Sequence, residues 1–140
     1  MRFFSKKADD ALWEESNRKV IALARGNNAD EAAAVARELY EYSKKAYGKQ
    51  HEKTIKAINN LGFVLTKKKD FEVAESYLLM ALQISEKTYG KFSKEVGFVN
   101  MNLAKMYKAK ADEIFEMESA YNEIYQHSGQ SGEADLAESH

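Results

Sequence analysis

Tyr47-Gly48-Lys49-Gln50-His51 and Tyr89-Gly90-Lys91-Phe92-Ser93 decide the fold. They share a Tyr-Gly-Lys start and stand 42 residues apart. The same offset carries Asn60-Leu61 onto Asn102-Leu103, Gly62 onto Ala104 and Ala32 onto Ala74. A fixed internal period of this size marks stacked supersecondary units, none of which buries its apolar face alone. Stacks of this kind work by offering an extended surface to a partner rather than by building a catalytic pocket.

Outward from these joints the sequence reads as helix. Ala, Leu, Glu and Lys are abundant, β-branched runs are missing, and the 140 residues contain no Pro, so nothing removes a backbone donor from a helix interior. The pattern predicts six helices at about 7–25, 29–47, 52–68, 70–89, 93–109 and 112–127. Gly26-Asn27-Asn28 makes the first turn, with Asn28 or Asp30 available as a cap. Gly48 and Gly90 supply the left-handed backbone that closes the second and fourth helices. The helices pair as three hairpins, one per period, at 8–47, 48–89 and 90–127. Together they form one all-α domain over 1–127, an α-solenoid. The tail 128–140 has Leu136 as its one large apolar side chain and is expected to be disordered.

Composition narrows the function. A hydrophobic fraction of 44% is ample for a core, and a net charge of −1 lacks the basic balance of a nucleic-acid binder. With no Cys, disulfide and thiol chemistry are excluded. No run approaches the length of about 18 apolar residues that a membrane span needs. The start of the chain offers only Phe3-Phe4 between charges, too little for a leader. A cytoplasmic location is the resulting expectation.

The Tyr-Gly joints, followed by Ile58-Asn59-Asn60-Leu61-Gly62 and by Asn100-Met101-Asn102-Leu103-Ala104, resemble the tetratricopeptide repeat family in the longer form found in kinesin light chains. The joint resembles that family's Tyr-Gly-x-x-His, although Glu52 and Lys94 stand where the family places Pro. The middle repeat matches best, with Leu61, Gly62, Leu65, Phe71, Ala74, Leu78, Ala81 and Leu82 at the family's packing positions. In the third repeat the second helix fits only with one inserted residue, which puts Met117, Tyr121, Ile124 and Tyr125 in the apolar places.

The resemblance implies a non-catalytic protein-binding module. In such proteins the first helix of each hairpin lines a concave groove that takes an extended peptide. Carried over by position, the groove residues are Lys56, Asn59, Asn60, Phe63 and Lys67, then Phe98, Met101, Asn102, Lys105 and Lys108, with Asn17 and Ile21 added from the first repeat. An Asn amide both donates and accepts, so it pairs with peptide backbone of any sequence. Phe63, Phe98 and Met101 suit an apolar side chain, Met being the adaptable one, and the lysines favour an acidic peptide. The alternative is a solvated face, with Phe63 and Met101 simply part of the core.

Charge is unevenly spread. No Lys or Arg follows Lys110, while 111–140 holds Asp112, Glu113, Glu116, Glu118, Glu123, Glu133, Asp135 and Glu138. The plain reading is a solubilising end. The sharper one is that Glu133-Ala134-Asp135-Leu136-Ala137-Glu138 mimics an acidic ligand of the groove. Phe115, Met117, Tyr121 and Tyr125 on the last helix form a candidate oligomer edge, with Phe115, Tyr121 and Tyr125 as its named contacts. A homodimer is therefore the runner-up function, and an accessory subunit of an enzyme a weaker third. Lys67-Lys68-Lys69 reads as helix-end charge, and His51 as a brace of its turn. Glu123 and His127 share a face but fall short of a metal site, so neither a metal nor a cofactor is expected. There is no phosphate loop or nucleophile motif, and the chain is not read as an enzyme.

Overall fold

The computed structural model describes residues 8–128, all helix and turn. The helices are α1 (Asp10–Arg25), α2 (Ala29–Tyr47), α3 (Glu52–Lys67), α4 (Phe71–Tyr89) and α5 (Lys94–Ser128). The tail from 129 on, with its candidate ligand mimic, lies outside the described residues. The chain divides into two units, Met1–Tyr107 and Lys108–His140.

In the first unit α1 with α2 and α3 with α4 form two antiparallel hairpins, and α3 also packs on α1 and α2. The two turns within the hairpins are copies of each other. Asn27 and Lys69, 42 residues apart, both take left-handed backbone at φ 61° and 66°. The Asn28 N–H reaches Leu23 O and the Asp70 N–H reaches Leu65 O, each at 2.9 Å. This bond across the helix end satisfies a carbonyl that the last turn leaves open. The joints between repeats are copies too. Gly48 and Gly90 sit at φ 96° and 93°. His51 then caps α3, its Nδ1 accepting from the Lys53 N–H at 3.0 Å, while its ring rests 4.7 Å from that of Tyr47. At the next joint Ser93 does the same with its hydroxyl, accepting from the Val96 N–H at 3.3 Å.

The core runs between the hairpins through Trp13, Val20, Ala32, Ala36, Leu39, Ile58, Leu61, Leu65, Ala74, Leu78 and Ala81. Val99, Leu103 and Met106 extend it into the start of α5. Of the buried polar side chains among the described residues, Ser16, Ser43 and Thr54 are hydrogen-bonded, as buried polar groups generally are, while Ser85 Oγ has no partner. The Trp13 Nε1–H donates to Ser43 Oγ at 2.8 Å, and the Thr54 hydroxyl donates to Gly48 O at 2.6 Å, which ties the joint to the base of α3. Gly62 permits α3 and α4 to approach closely, because a Cβ there would lie 2.4 Å from Leu78 Cγ and Cδ2.

The third hairpin does not form. The expected fifth and sixth helices are one helix, α5, of 35 residues. The position equivalent to Asn27 and Lys69 is Ala111, which stays helical. Two features explain this. Residues 108–113 read Lys-Ala-Lys-Ala-Asp-Glu, alanines and long charged side chains that favour helix, and Lys108 pairs with Asp112 at 2.8 Å across the site of the missing turn. A turn there would also bring little burial. Ala32 and Ala74 close the first two hairpins with no exposed surface, whereas the matching place in the third holds Glu116 or, with the inserted residue, Met117.

Candidate functional site

The first helices of the repeats stand side by side in the first unit. Hydrogen bonds at nearly the repeat distance tie them in register. Asn60 Nδ2–H donates to Asn17 Oδ1 at 2.6 Å, joining α3 to α1. Asn102 Nδ2–H donates to Asn59 Oδ1 at 2.9 Å, joining α5 to α3. Beside these amides lies a groove of about 480 Å³. Its wall takes Asn17 and Ile21 from α1, Lys56, Asn59 and Asn60 from α3, and Phe98, Met101, Asn102 and Lys105 from α5.

Phe98 and Met101 are 59% and 54% exposed, so neither belongs to the core. Among the described residues Lys94 and Lys105, both in the wall, are held in no ion pair. Lys56 pairs with Glu52 at 3.0 Å, and that bond holds the Glu52 carboxyl below the usual carboxylate range. Burial, then the charges of Glu52 and Glu95, push the phenol of Tyr89 up where it lines the groove. The groove thus offers amides, one apolar patch and two unpaired cations.

Three residues expected in the groove stand outside its lining. Phe63 packs half-buried against the core, and Lys67 lies over its ring at 5.6 Å from Nζ to the centroid. Lys108 falls in the second unit and is engaged by Asp112. Conversely Glu52, Ile55, Tyr89, Lys94, Glu95 and Val99 line the groove without having been singled out. Tyr89, Lys94 and Glu95 come from the joint and the first turn of α5, where helical periodicity carries no signal. At the other end of α5, Phe115 and Tyr121 are exposed, and Tyr121 stacks on Tyr125 at 5.9 Å between centroids.

Among the described residues no group of three or more metal-ligating side chains comes together, and no helix is long and apolar enough to cross a membrane. Stacked antiparallel hairpins whose first helices share one groove define a helical repeat protein. The family model of the tetratricopeptide repeat matches residues 15–87, just over half of the chain, and the chain belongs to that family. Tetratricopeptide repeats generally mediate protein–protein interactions and are typically non-catalytic. No curated protein and no solved structure matches the chain.

Proposed function

We propose that this protein is an adaptor that docks a short extended segment of another protein in the groove of α1, α3 and α5. The observation that carries this reading is the exposed pair Phe98 and Met101 set beside two rows of hydrogen-bonded amides. An extended peptide presents backbone donors and acceptors at every residue, and amides fixed in register answer them without reading sequence. Phe98 and Met101 then take one apolar side chain, and Lys94 and Lys105 favour an acidic residue on either side of it. The 42-residue spacing and the Tyr47–His51 contact support a likeness to the longer repeats of kinesin light chains.

A displayed random-peptide library selected on the protein tests this. Selected sequences should be extended, acidic and carry one large apolar residue. A Lys105→Glu variant should bind them about tenfold more weakly, the loss shrinking in high salt. Phe98→Ser should weaken binding at every salt concentration. Peptides retained equally by both variants would move recognition away from the groove.

A further inference from the structure

We infer that the second unit is a docking surface of its own, and that it takes an amphipathic helix with basic flanks. In the first unit α5 buries Val96, Val99, Leu103 and Met106. Eighteen residues on, Ile114, Met117, Tyr121 and Ile124 repeat the same three-four-three spacing. Here the stripe is bare, at 53%, 65%, 64% and 68% exposed. A stripe with alternating steps of three and four is the seam by which one helix packs on another, each side chain entering a hole on the facing helix. Single exposed apolar residues need no explanation, but an aligned row of four on one helix does.

Charge selects the occupant. Glu118 borders the stripe, four residues after Ile114 and three before Tyr121, and is exposed. Glu116 and Glu123 lie toward the other side, also exposed. Residues 111–128 hold five acids and no Lys or Arg. A second copy of this helix would therefore set acid against acid in either orientation. The chain beyond 128 adds only Glu133, Asp135 and Glu138, so it is no better suited. A helix with Lys or Arg beside an apolar seam gains attraction where these gain repulsion. The surface shares no residue with the groove, so either can fail without the other.

The probe is a synthetic helix of about three heptads with Leu at the seam and Lys on both flanks. Its companion is identical but carries Glu on the flanks. Fluorescence anisotropy against the full chain should show the Lys-flanked helix binding at least about tenfold more tightly, an advantage that shrinks as salt rises. Met117→Ser with Ile124→Ser should abolish that binding and leave the thermal melt unchanged, since both residues are exposed. The groove variant Phe98→Ser should bind the probe as wild type does. Equal binding of the two helices, binding that survives the double substitution, or no binding at all would overturn the proposal. So would a wild-type dimer in sedimentation equilibrium that the double substitution dissolves, because a second copy would then hold the stripe.

Discussion

Replacing Gly62 by Ala should destabilise this protein, although Ala is the better helix former by about 1 kcal/mol. The reason is Leu78. A Cβ on Gly62 would lie 2.4 Å from its Cγ and Cδ2, about 1 Å inside ordinary contact. Leu78 is wholly buried, and its Cγ is too near the backbone to swing aside, so α3 and α4 must part. Overpacking of this kind costs about 1–3 kcal/mol. With the upper part of that range set against the propensity gain, the net loss is about 1–2 kcal/mol. The decisive comparison is made in a Leu78→Ala background, which itself loses about 2–5 kcal/mol to a cavity. There the obstruction is gone, and Gly62→Ala should stabilise by about 1 kcal/mol. The same substitution thus changes sign with its neighbour, a coupling of about 2–3 kcal/mol in a double-mutant cycle. Urea unfolding of the four proteins followed by far-ultraviolet circular dichroism measures it. An internal control exists at Ala104, one period on, which is exposed. Ala104→Leu should shift stability by less than about 0.5 kcal/mol. A Gly62→Ala protein as stable as wild type, or an effect of one sign in both backgrounds, would refute the reasoning.

Three further outcomes follow from the joints. Lys69 holds left-handed backbone at φ 66°, so Lys69→Gly should raise stability by about 1 kcal/mol in the same urea assay. Gly48→Ala and Gly90→Ala, at φ 96° and 93°, should each cost about 1–3 kcal/mol, although nothing lies within 4 Å of the new Cβ at either site. The third outcome concerns pH. Burial, then a 2.5 Å hydrogen bond donated to Asp10, raises the Tyr47 phenol above its ordinary value. A pKa raised in the folded state means that the unfolded chain ionises first, so stability holds below about pH 10 and falls as pH climbs toward the folded value. Tyr47→Phe should flatten that alkaline fall in urea titrations above pH 10 without abolishing it, since Tyr89 and Tyr107 are raised as well.

The repeat period made most of this architecture legible. Tyr47-Gly48 and Tyr89-Gly90 fix two helix ends, and Gly26-Asn27-Asn28 fixes a third, because each needs backbone that few residues tolerate. The turn at Lys69 was harder to see: Lys is no turn residue, and burial of Ala74, Leu78 and Ala81 on the far side makes the bend worthwhile. That same logic misled at 109–112, where a third hairpin was expected by extension. The apolar residues beyond it are there, but no small residue sits where Ala32 and Ala74 sit, so the helix continues. Among the positions that the family resemblance assigned to the groove, Asn59, Asn60, Phe98, Met101 and Asn102 are in its lining, whereas Phe63, half-buried against the core, and Lys67 over its ring are not.

In the function proposed above, stacking and recognition by the amides are one problem. Read from sequence, each Asn was a free hand for a peptide. In the structure Asn60 and Asn102 each spend a donor on the neighbouring repeat, at 2.6 and 2.9 Å. A primary amide carries two donors and a carbonyl with two lone pairs, so each pair keeps capacity after the bond is made. Asn17 accepts through Oδ1, and Asn59 through Oδ1 and its backbone carbonyl, which leaves the Nδ2 donors of both uncommitted to the pairs. The amides are therefore held in place before any ligand arrives, and the rotamer entropy that a loose Asn would lose on binding has already been lost on folding. The cost is that the rows stay aligned only while α1, α3 and α5 keep their spacing. Gly62 against Leu78 sets the distance of α3 from α4, and the Gly48 and Gly90 joints set where α3 and α5 begin. Substitutions at these sites, none of which lines the groove, should weaken peptide binding in proportion to the shift they impose on the amide rows.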